Sequence, residues 1–300
     1  MLHQLSTIQK DAIASGKRQK AKLVRACKQA VNSLDIDLRQ KHFYIYGPAG
    51  IGKTYNTVEA VKQSGVIFRE VSGNVSMYYL GIELAVTKYL FPEEKVIVII
   101  DDCDEIFKDS KSINMFKGIL GGENGLGAKF SYLKRVNMSS LGQEGDDAYD
   151  AVESFRKGVG FEVPLDNFTF IITSNQKLPY DDTVEALKKE VVVNGEVQLL
   201  DTASSKRAGH LSPIRSRCQT KDFTLSKEEK WGLIASTTLE ESVCRNCNEE
   251  QTLFILNYMW NNWNNLTETS IRTVEKMSDT LALEGEHGIV DIFDMDFLKS

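Results

Sequence analysis

The sequence predicts an α/β protein, in which a parallel β-sheet lies between layers of helices and is followed by a smaller all-helical domain. The run Val96–Ile100 is unbroken and β-branched, and Phe168–Thr173 is similarly apolar. Such runs are typical of parallel strands that are buried on both faces. From Ser226 onward the pattern changes to helices alone. These observations together indicate a central sheet and a separate helical domain.

The individual elements alternate between strand and helix before residue 224, as expected for right-handed crossover connections. Pro92 and the pair Gly121-Gly122 mark two helix ends. We expect strands over Phe43–Tyr46, Val66–Val71, Lys95–Ile100 and Phe168–Thr173, with helices over Tyr55–Ser64, Met77–Leu90 and Asp104–Leu120. The last part is expected to form helices over Ser226–Val243, Glu249–Trp263 and Thr267–Leu283.

The length of 300 residues suits one large domain and one smaller domain. We expect a basic helical segment over residues 1–40, an α/β domain over 41–223 and a helical domain over 224–300. Two stretches exceed what a minimal domain needs, near 121–165 and 179–210. The second contains Asn194-Gly195, a strong hairpin-turn signal. Long insertions of this kind are usually functional or disordered.

The net charge of −6 argues against a surface coated in positive charge for static nucleic-acid binding. The N-terminal 41 residues are nevertheless basic, with nine basic against three acidic residues (Lys10, Lys17, Arg18, Lys20, Lys22, Arg25, Lys28, Arg39 and Lys41 against Asp11, Asp35 and Asp37). This excess either faces a phosphate backbone or forms the solvated face of a helix over Lys17–Leu34. In the second case Leu23, Val24, Cys27 and Val31 would turn inward.

Nothing in the sequence predicts a membrane segment or a secreted protein. The longest apolar run, Val96–Ile100, is too short to span a bilayer, and the first residues lack the apolar stretch of a signal peptide. Cys244 and Cys247 form a CxxC pair, but no second pair stands nearby to complete a zinc site. We therefore expect a cytoplasmic protein, with no membrane partner and with free thiols.

A glycine-rich loop follows the first strand directly and matches GxxxxGKT. Its residues are Gly47, Pro48, Ala49, Gly50, Ile51, Gly52, Lys53 and Thr54. Glycines let the backbone N–H groups wrap closely around a triphosphate, while Lys53 reaches the β- and γ-phosphates and the Thr54 hydroxyl ligates Mg²⁺. The helix that begins here adds its positive dipole end. The loop therefore predicts ATP and Mg²⁺ as ligands.

Two carboxylates follow the strand Val96–Ile100, at the edge where the loop is also expected. Asp101 is suited to hold Mg²⁺, directly or through water. Asp102 is suited to orient and activate the attacking water, because a carboxylate within hydrogen-bond reach serves as a general base. The pair predicts hydrolysis in addition to binding.

In their order and context, these motifs resemble those of the AAA+ ATPase family, from about Lys41 to about Lys276. The segment FYIYGPAGIGKT is similar to the Walker A motif and VIVIIDDCDEIF to the Walker B motif. The strand end at Asn175 resembles sensor 1, whose side chain bonds the lytic water or the γ-phosphate. The resemblance implies the P-loop AAA+ fold: a parallel sheet sandwiched by helices, followed by a small helical lid.

Two later segments carry the resemblance further. LSPIRSRC resembles the Ser-Arg-Cys motif of clamp-loader-type and helicase-loader-type subunits, which implies that Arg217 is an arginine finger inserted into a neighbouring subunit's site. Arg215 and Arg207 are rival candidates within the same segment. TETSIRTVEK resembles the sensor 2 helix, which places Arg272 near the γ-phosphate. A finger supplied by a neighbour implies a homo-oligomeric ring, most often a hexamer in this family, or a hetero-oligomeric assembly.

One residue departs from the family pattern. The usual Walker B ending is Asp-Glu, whereas this chain has Asp101-Asp102. The second carboxylate is one methylene shorter, so we expect hydrolysis to be slow or to depend on a partner.

Three classes of function remain open. The Ser-Arg-Cys match, the basic N-terminal segment and an insert with Lys129, Lys134 and Arg135 favour a loader-like role in DNA replication or other DNA transactions. Such compact versions of the family are often encoded by phages or viruses. Alternatively Tyr79-Leu80-Gly81 forms a pore loop that grips a protein substrate, although these residues can also simply begin a buried helix. The third class is an ATP-gated structural or adaptor subunit with little hydrolysis.

Overall fold

The computed structural model describes residues 5–36, 40–73, 75–102, 110–121, 127–193, 196–200 and 202–299. Its strands are β1 (His42–Tyr46), β2 (Ile67–Ser72), β3 (Val96–Asp101), β4 (Lys129–Tyr132), β5 (Arg156–Lys157), β6 (Gly160–Pro164), β7 (Phe168–Ser174), β8 (Lys189–Val193), β9 (Glu196–Leu200) and β10 (Cys218–Asp222). Its helices are α1 (Thr7–Asn32), α2 (Lys53–Ser64), α3 (Met77–Leu90), α4 (Ser110–Ile119), α5 (Asp147–Ser154), α6 (Asp181–Ala186), α7 (Ala203–Arg217), α8 (Lys227–Glu241), α9 (Glu249–Asn262), α10 (Ile271–Glu284) and α11 (Ile289–Phe297).

A five-stranded, fully parallel sheet forms the centre of the α/β part, in the order β10-β1-β7-β3-β2. Every residue of β1 and β7 is buried, as are the five apolar residues that begin β3. This burial on both faces confirms the α/β fold class that the apolar runs predict. The register pairs Tyr46 with Ser174 and Asp101 with Thr173, so the carboxyl ends of β1, β7 and β3 lie at one edge.

The chain divides into two compact units. One consists of Met1–Ala26, Gly47–Asn56 and Phe223–Ser300, and the other of Cys27–Tyr46 and Thr57–Asp222. The first is built around α8–α11, with Trp231 and Phe293 fully buried. The second is built around the parallel sheet, with Phe116 and Phe168 fully buried. The domain limits expected from the sequence remain predictions.

Helix α1 begins ten residues before the expected Lys17. Leu23 and Cys27 are fully buried and Val31 nearly so, while Val24 is half-buried. The basic residues of the helix are largely exposed, and Lys17 and Lys20 pair with glutamates of α8. This pattern matches the interpretation of a solvated helix face, while any contact with DNA remains a prediction.

The first insertion forms a small antiparallel sheet in the order β4-β6-β5, with α5 beside it. Its inward residues Phe130 and Phe161 are fully buried in the same core as the parallel sheet. Gly81 of α3 permits this packing, because a Cβ there would lie 2.1 Å from the Phe130 ring. The insert is therefore an integral part of the α/β unit.

The second insertion forms α6 and the antiparallel pair β8–β9. The predicted turn at Asn194-Gly195 lies outside the described residues, as does the first part of the helix expected over Asp104–Leu120. The three helices expected near the C-terminus are present, and α11 follows them without having been predicted. In the described ranges, no helix combines the length and apolarity needed to cross a membrane.

Four cysteines, Cys27, Cys218, Cys244 and Cys247, are free thiols, as expected. Burial raises the pKa of the Cys244 thiol to about 11, and the nearby Cys247 adds to this shift. Cys103 lies outside the described residues.

Candidate active site

The glycine-rich loop runs from the end of β1 to the start of α2 and depends on residues without side chains. Gly50 and Gly52 have φ angles of 73° and 82°, in the left-handed region that side chains disfavour. A Cβ on Gly47 would lie 2.9 Å from both the Cβ and the carbonyl oxygen of Phe223. Ile51 is buried and anchors the loop, while Ala49 is exposed and Pro48 half-buried.

Lys53 is the first residue of α2 and is only 7% exposed. Its Nζ donates to the carbonyl oxygens of Gly47 and Pro48, both at 2.9 Å. These bonds hold a full positive charge against the loop backbone. Thr54 follows in the first turn of α2 and is half-buried. The loop thus combines an ammonium group, a hydroxyl group and a helix N-terminus, which together suit an anion with a bound cation.

Helix α10, which carries Arg272, begins against this loop. The N–H of Ile271 donates to the Gly50 carbonyl oxygen at 3.4 Å. A Cβ on Gly50 would lie 2.2 Å from the Ser270 Cβ, so the two backbones approach closely. Ser270 caps the helix by accepting from the Thr273 N–H at 3.2 Å. Arg272 itself is exposed. Sequence reasoning identified Arg272 but missed Ser270, for which a serine before a helix was the available signal.

Asp101 and Thr173 lie side by side at the ends of β3 and β7. They are register partners, and the Thr173 hydroxyl donates to Asp101 Oδ1. Thr173 is fully enclosed, whereas Asp101 is half-buried. This bond orients the Asp101 carboxylate and leaves its oxygens suited to a hard cation such as Mg²⁺. Thr173 was not predicted as a site residue, although a polar residue at the end of an apolar run was a signal.

Asp102 and Asn175 are also brought together, as their predicted roles require. Asn175 Nδ2 donates to Asp102 Oδ1 at 3.1 Å, and both side chains are exposed. The Asp102 backbone has a φ angle of 50°, and its N–H donates to the Thr173 carbonyl oxygen at 3.2 Å. The amide of Asn175 thus contacts the carboxylate for which the sequence predicts a role in activating water.

Arg217 ends α7 and turns back onto its own subunit. Its Nε donates to the Gly121 carbonyl oxygen at 2.9 Å, and its Nη1 donates to that of Pro213 at 2.7 Å. The rival Arg215 stacks on Tyr180, with its Cζ 3.6 Å from the ring centre. The side chain of the third candidate, Arg207, lies outside the described residues. The structure therefore gives the two described arginines different partners without assigning either to a neighbouring subunit.

The candidate pore-loop residues form the first turn of α3. Ser76 caps this helix by accepting from the Tyr79 N–H at 3.2 Å. Leu80 is fully buried and Gly81 packs against Phe130, while Tyr79 is 51% exposed. The segment thus begins a buried helix, and Leu80 is not available to grip a substrate.

The sequence model of the ATPase family associated with various cellular activities (AAA) matches residues 43–191. This range includes the glycine-rich loop, Asp101, Asp102 and Asn175 but ends before Arg217 and Arg272. No curated protein sequence gives a significant match. Among solved structures, the chain is similar to the Thermotoga maritima RuvB Holliday junction branch migration motor, with 15% identity, 93% of this chain and 68% of that chain covered, and a TM-score of 0.43.

Proposed function

We propose, from the premise that this chain belongs to the AAA+ ATPase family, that it hydrolyses ATP within an oligomeric assembly and uses the energy to remodel a macromolecule. The Asp102–Asn175 hydrogen bond carries this proposal, because it pairs the predicted water-activating carboxylate with the predicted sensor.

The residues present fit ATP and Mg²⁺. Backbone groups of Gly47, Pro48, Ala49, Gly50, Ile51 and Gly52 hold the phosphates in this proposal, and the Lys53 ammonium offsets their charge. The Thr54 hydroxyl and the Asp101 carboxylate supply the oxygen ligands that Mg²⁺ prefers. When bound, Mg²⁺ neutralises charge on the β- and γ-phosphate oxygens.

Hydrolysis requires a water molecule to attack the γ-phosphorus while the bond to the β–γ bridging oxygen breaks. Asp102 orients this water and accepts its proton, and Asn175 keeps the carboxylate in position. Negative charge spreads over the γ-phosphoryl oxygens in the transition state, so cations placed there lower the barrier. We assign this role to Lys53 and Arg272 of one subunit and to Arg217 of the next. The short reach of Asp102 makes the reaction slow or partner-dependent.

The assembly in this proposal is a homo-oligomeric ring, with a hexamer as the expected size, or a hetero-oligomer. Support comes from the position of Arg217 at the end of α7, directly before the edge strand β10. An edge strand lies at the side of the sheet, where a neighbouring subunit can approach. Hydrolysis then depends on assembly, because each site is completed by the next subunit.

We favour DNA as the substrate, with a loader-like role in DNA replication or other DNA transactions. The LSPIRSRC segment and the exposed cations in α1 and the insert support this choice. Remodelling of a protein substrate has weaker support, because of the three pore-loop candidates only Tyr79 is prominently exposed. Only the short aspartate side chain at position 102 favours an adaptor role with little hydrolysis.

The test is ATP turnover measured against protein concentration. We expect turnover to rise steeply with concentration, and Arg217→Ala to lower it by about a thousandfold while ATP binding survives. Arg215→Ala is the matched control, and we expect it to retain turnover. If Arg215→Ala abolishes turnover and Arg217→Ala does not, the finger assignment is wrong.

Mixing two inactive variants sharpens the test. Arg217→Ala leaves the subunit's own site intact, whereas Asp102→Asn leaves its finger intact. We expect mixtures to regain part of the wild-type turnover, because an Asp102→Asn subunit can supply Arg217 to a neighbouring Arg217→Ala site. Mixtures as inactive as the separate variants would contradict a finger supplied by a neighbour. Full turnover of Asp102→Asn alone would remove Asp102 from the mechanism.

A further inference from the structure

One end of the small antiparallel sheet exposes an unusual set of side chains. Two are large aliphatic residues, Leu133 at 66% and Val159 at 59% exposure. The others are basic and also exposed. We call this set the insert tip; it consists of Leu133, Lys134, Arg135, Arg156, Lys157 and Val159.

Strand register brings these residues to the same end. Central strand β6 pairs Phe161 with both Tyr132 of β4 and Arg156 of β5. The chain leaves β4 at Leu133, and the turn at Gly158 connects β5 to β6. Leu133 and the turn therefore lie at the same end of the small sheet.

Backbone contacts fix this arrangement. The N–H of Val136 donates to the Val159 carbonyl oxygen at 3.0 Å, which ties residues 133–136 to the turn. A Cβ on Gly160 would lie 1.8 Å from the Tyr132 carbonyl oxygen and 3.0 Å from the Leu133 Cα. The two segments thus touch through their backbones, so the side chains of the insert tip project from a closely packed base.

The charge of the tip is positive. Arg156 forms an ion pair with Glu153 at 2.5 Å, and Lys157 forms one with Glu162 at 2.9 Å. Glu162 also pairs with Lys129. Across the described ranges, Lys134 and Arg135 make no ion pair that would neutralise them.

A separate group of acidic residues lies around the start of α5, with Glu144 just before the helix. Asp146, Asp147 and Asp150 lie at the N-terminal end of α5, where Asp146 and Asp150 accept from the backbone N–H groups of Gln143 and Gly145. Helix α5 is eight residues long, so its two ends are about 12 Å apart. Its C-terminal end leads into β5, whereas these acids lie in its first half or just before it.

We propose that the insert tip binds the phosphodiester backbone of a nucleic acid, with its basic residues on phosphates and Leu133 and Val159 against sugars or bases. The proposal rests on the proposed action on DNA and names the surface that would contact it. Basic residues beside aliphatic residues suit this partner, because cations neutralise phosphates while apolar side chains insert between bases. The tip contains no aromatic ring, so binding is independent of sequence and of base stacking.

A protein partner suits the tip less well. A stable protein interface typically uses about 20 to 30 residues on each side, whereas the tip has six. A projecting, cationic surface of this size is sufficient for a repeating polyanion, which can bind several copies of the tip in one assembly.

The experiment is fluorescence anisotropy of the full chain with labelled single-stranded DNA, duplex DNA and RNA. We expect Lys134→Glu/Arg135→Glu to weaken binding at least tenfold. Lys62→Glu/Arg245→Glu, an equal charge change on exposed residues outside α1 and the insert, is the matched control and should change binding less than twofold. Arg25→Glu/Lys28→Glu tests the competing contact at α1 and should weaken binding less than the tip variant does. Lys134→Ala/Arg135→Ala should lower the slope of log K against log salt by about 1.5 between about 50 and about 200 mM. Circular dichroism and thermal unfolding check that each variant is folded.

Three outcomes would overturn the proposal: no binding by the wild type, equal binding by the wild type and the tip variant, or loss confined to the α1 variant, which would assign the contact to α1. Competition by polyglutamate as effective as competition by DNA would show a general polyanion surface instead. These outcomes are separate from the ATPase test, because they need no turnover and can be repeated with Arg217→Ala.

Discussion

The central parallel sheet and the small antiparallel sheet of the insert bury their strands in different ways. Strands β1 and β7 are enclosed on both faces, whereas β4 and β6 place Phe130 and Phe161 in the core and turn other residues outward. Strands β3 and β7 therefore place Asp101, Asp102 and Asn175 at or just beyond their carboxyl ends. The small sheet carries polar residues along its length and exposes its tip.

The difference shows two ways of positioning functional groups. In the central sheet, strand register places Asp101 beside Thr173, so the Asp101 carboxylate is fixed by a buried ladder of hydrogen bonds. In the small sheet, the segment after β4 places Lys134 and Arg135 at an exposed end. We expect substitutions in the two sheets to differ in how much they change the free energy of unfolding, in the pH at which they act, and in how far their effects spread.

The largest difference between the two sheets is expected in the free energy of unfolding after large-to-small substitutions. Phe170→Ala in β7 removes a fully buried ring and should lower the free energy of unfolding by about 3 to 5 kcal/mol. Leu133→Ala at the insert tip should change it by less than about 0.5 kcal/mol, because the side chain is already exposed. Urea unfolding followed by circular dichroism measures both. A costly Leu133→Ala would mean that the tip is packed and not available to a ligand.

Acid should destabilise the two sheets in different pH windows. His42 is buried in β1, where its Nδ1 accepts from the Phe170 N–H at 3.1 Å, and burial together with Lys41 lowers its pKa to about 3. The unfolded chain binds a proton below about pH 6.5, whereas the folded chain does not, so stability falls as the pH drops from about 6.5 toward 3. The loss is at most about 1.4 kcal/mol per pH unit.

Glu162 affects the stability of the small sheet at lower pH. Hydrogen bonds from Lys157 and Ser131, together with Lys129, lower its pKa to about 2, so its stabilising effect is present above about pH 4.5 and is lost as the pH falls toward 2. We expect His42→Asn to flatten the pH dependence of the urea midpoint between pH 6.5 and 5, and Glu162→Gln to leave that window unchanged. The reverse result would show that the insert controls acid stability.

The smallest difference in the free energy of unfolding is expected between substitutions of two glycines at the β5–β6 turn. Gly160→Ala forces a Cβ against the Tyr132 carbonyl and should cost about 1 to 3 kcal/mol, with faster amide exchange in β4 and β6. Gly158→Ala meets no neighbour but has a φ angle of 63°, so it should cost about 1 kcal/mol. Gly158→Asn is the control, because asparagine tolerates this conformation better. Equal costs at both glycines would contradict the tight backbone contact.

The sequence predicted the parts of the fold whose signals are local. Continuous apolar runs marked β3 and β7, and the glycine pattern marked the loop before α2. Strands β4 and β6 have only four and five residues, and their alternating pattern is too short to separate from a loop. Helix α11 escaped detection because it is short and follows a glycine-rich turn.

The candidate site divides in the same way. Lys53, Asp101, Asp102 and Asn175 could be predicted as site residues because each belongs to a contiguous motif. The contact between Gly50 and Ser270 and the bond from Arg217 to Gly121 join residues far apart in the chain, so no local pattern reports them. Only the folded backbone shows which carbonyl oxygens these groups meet.

The left-handed backbone at Asp102 bears on why an aspartate stands where the family usually has a glutamate. Among side chains other than glycine, asparagine and aspartate are the ones most often found at positive φ. A glutamate placed here to lengthen the reach would enter a less favourable conformation and displace the carboxylate from the Asn175 amide. The shorter acid is thus matched to the local chain path and to its hydrogen bond with Asn175.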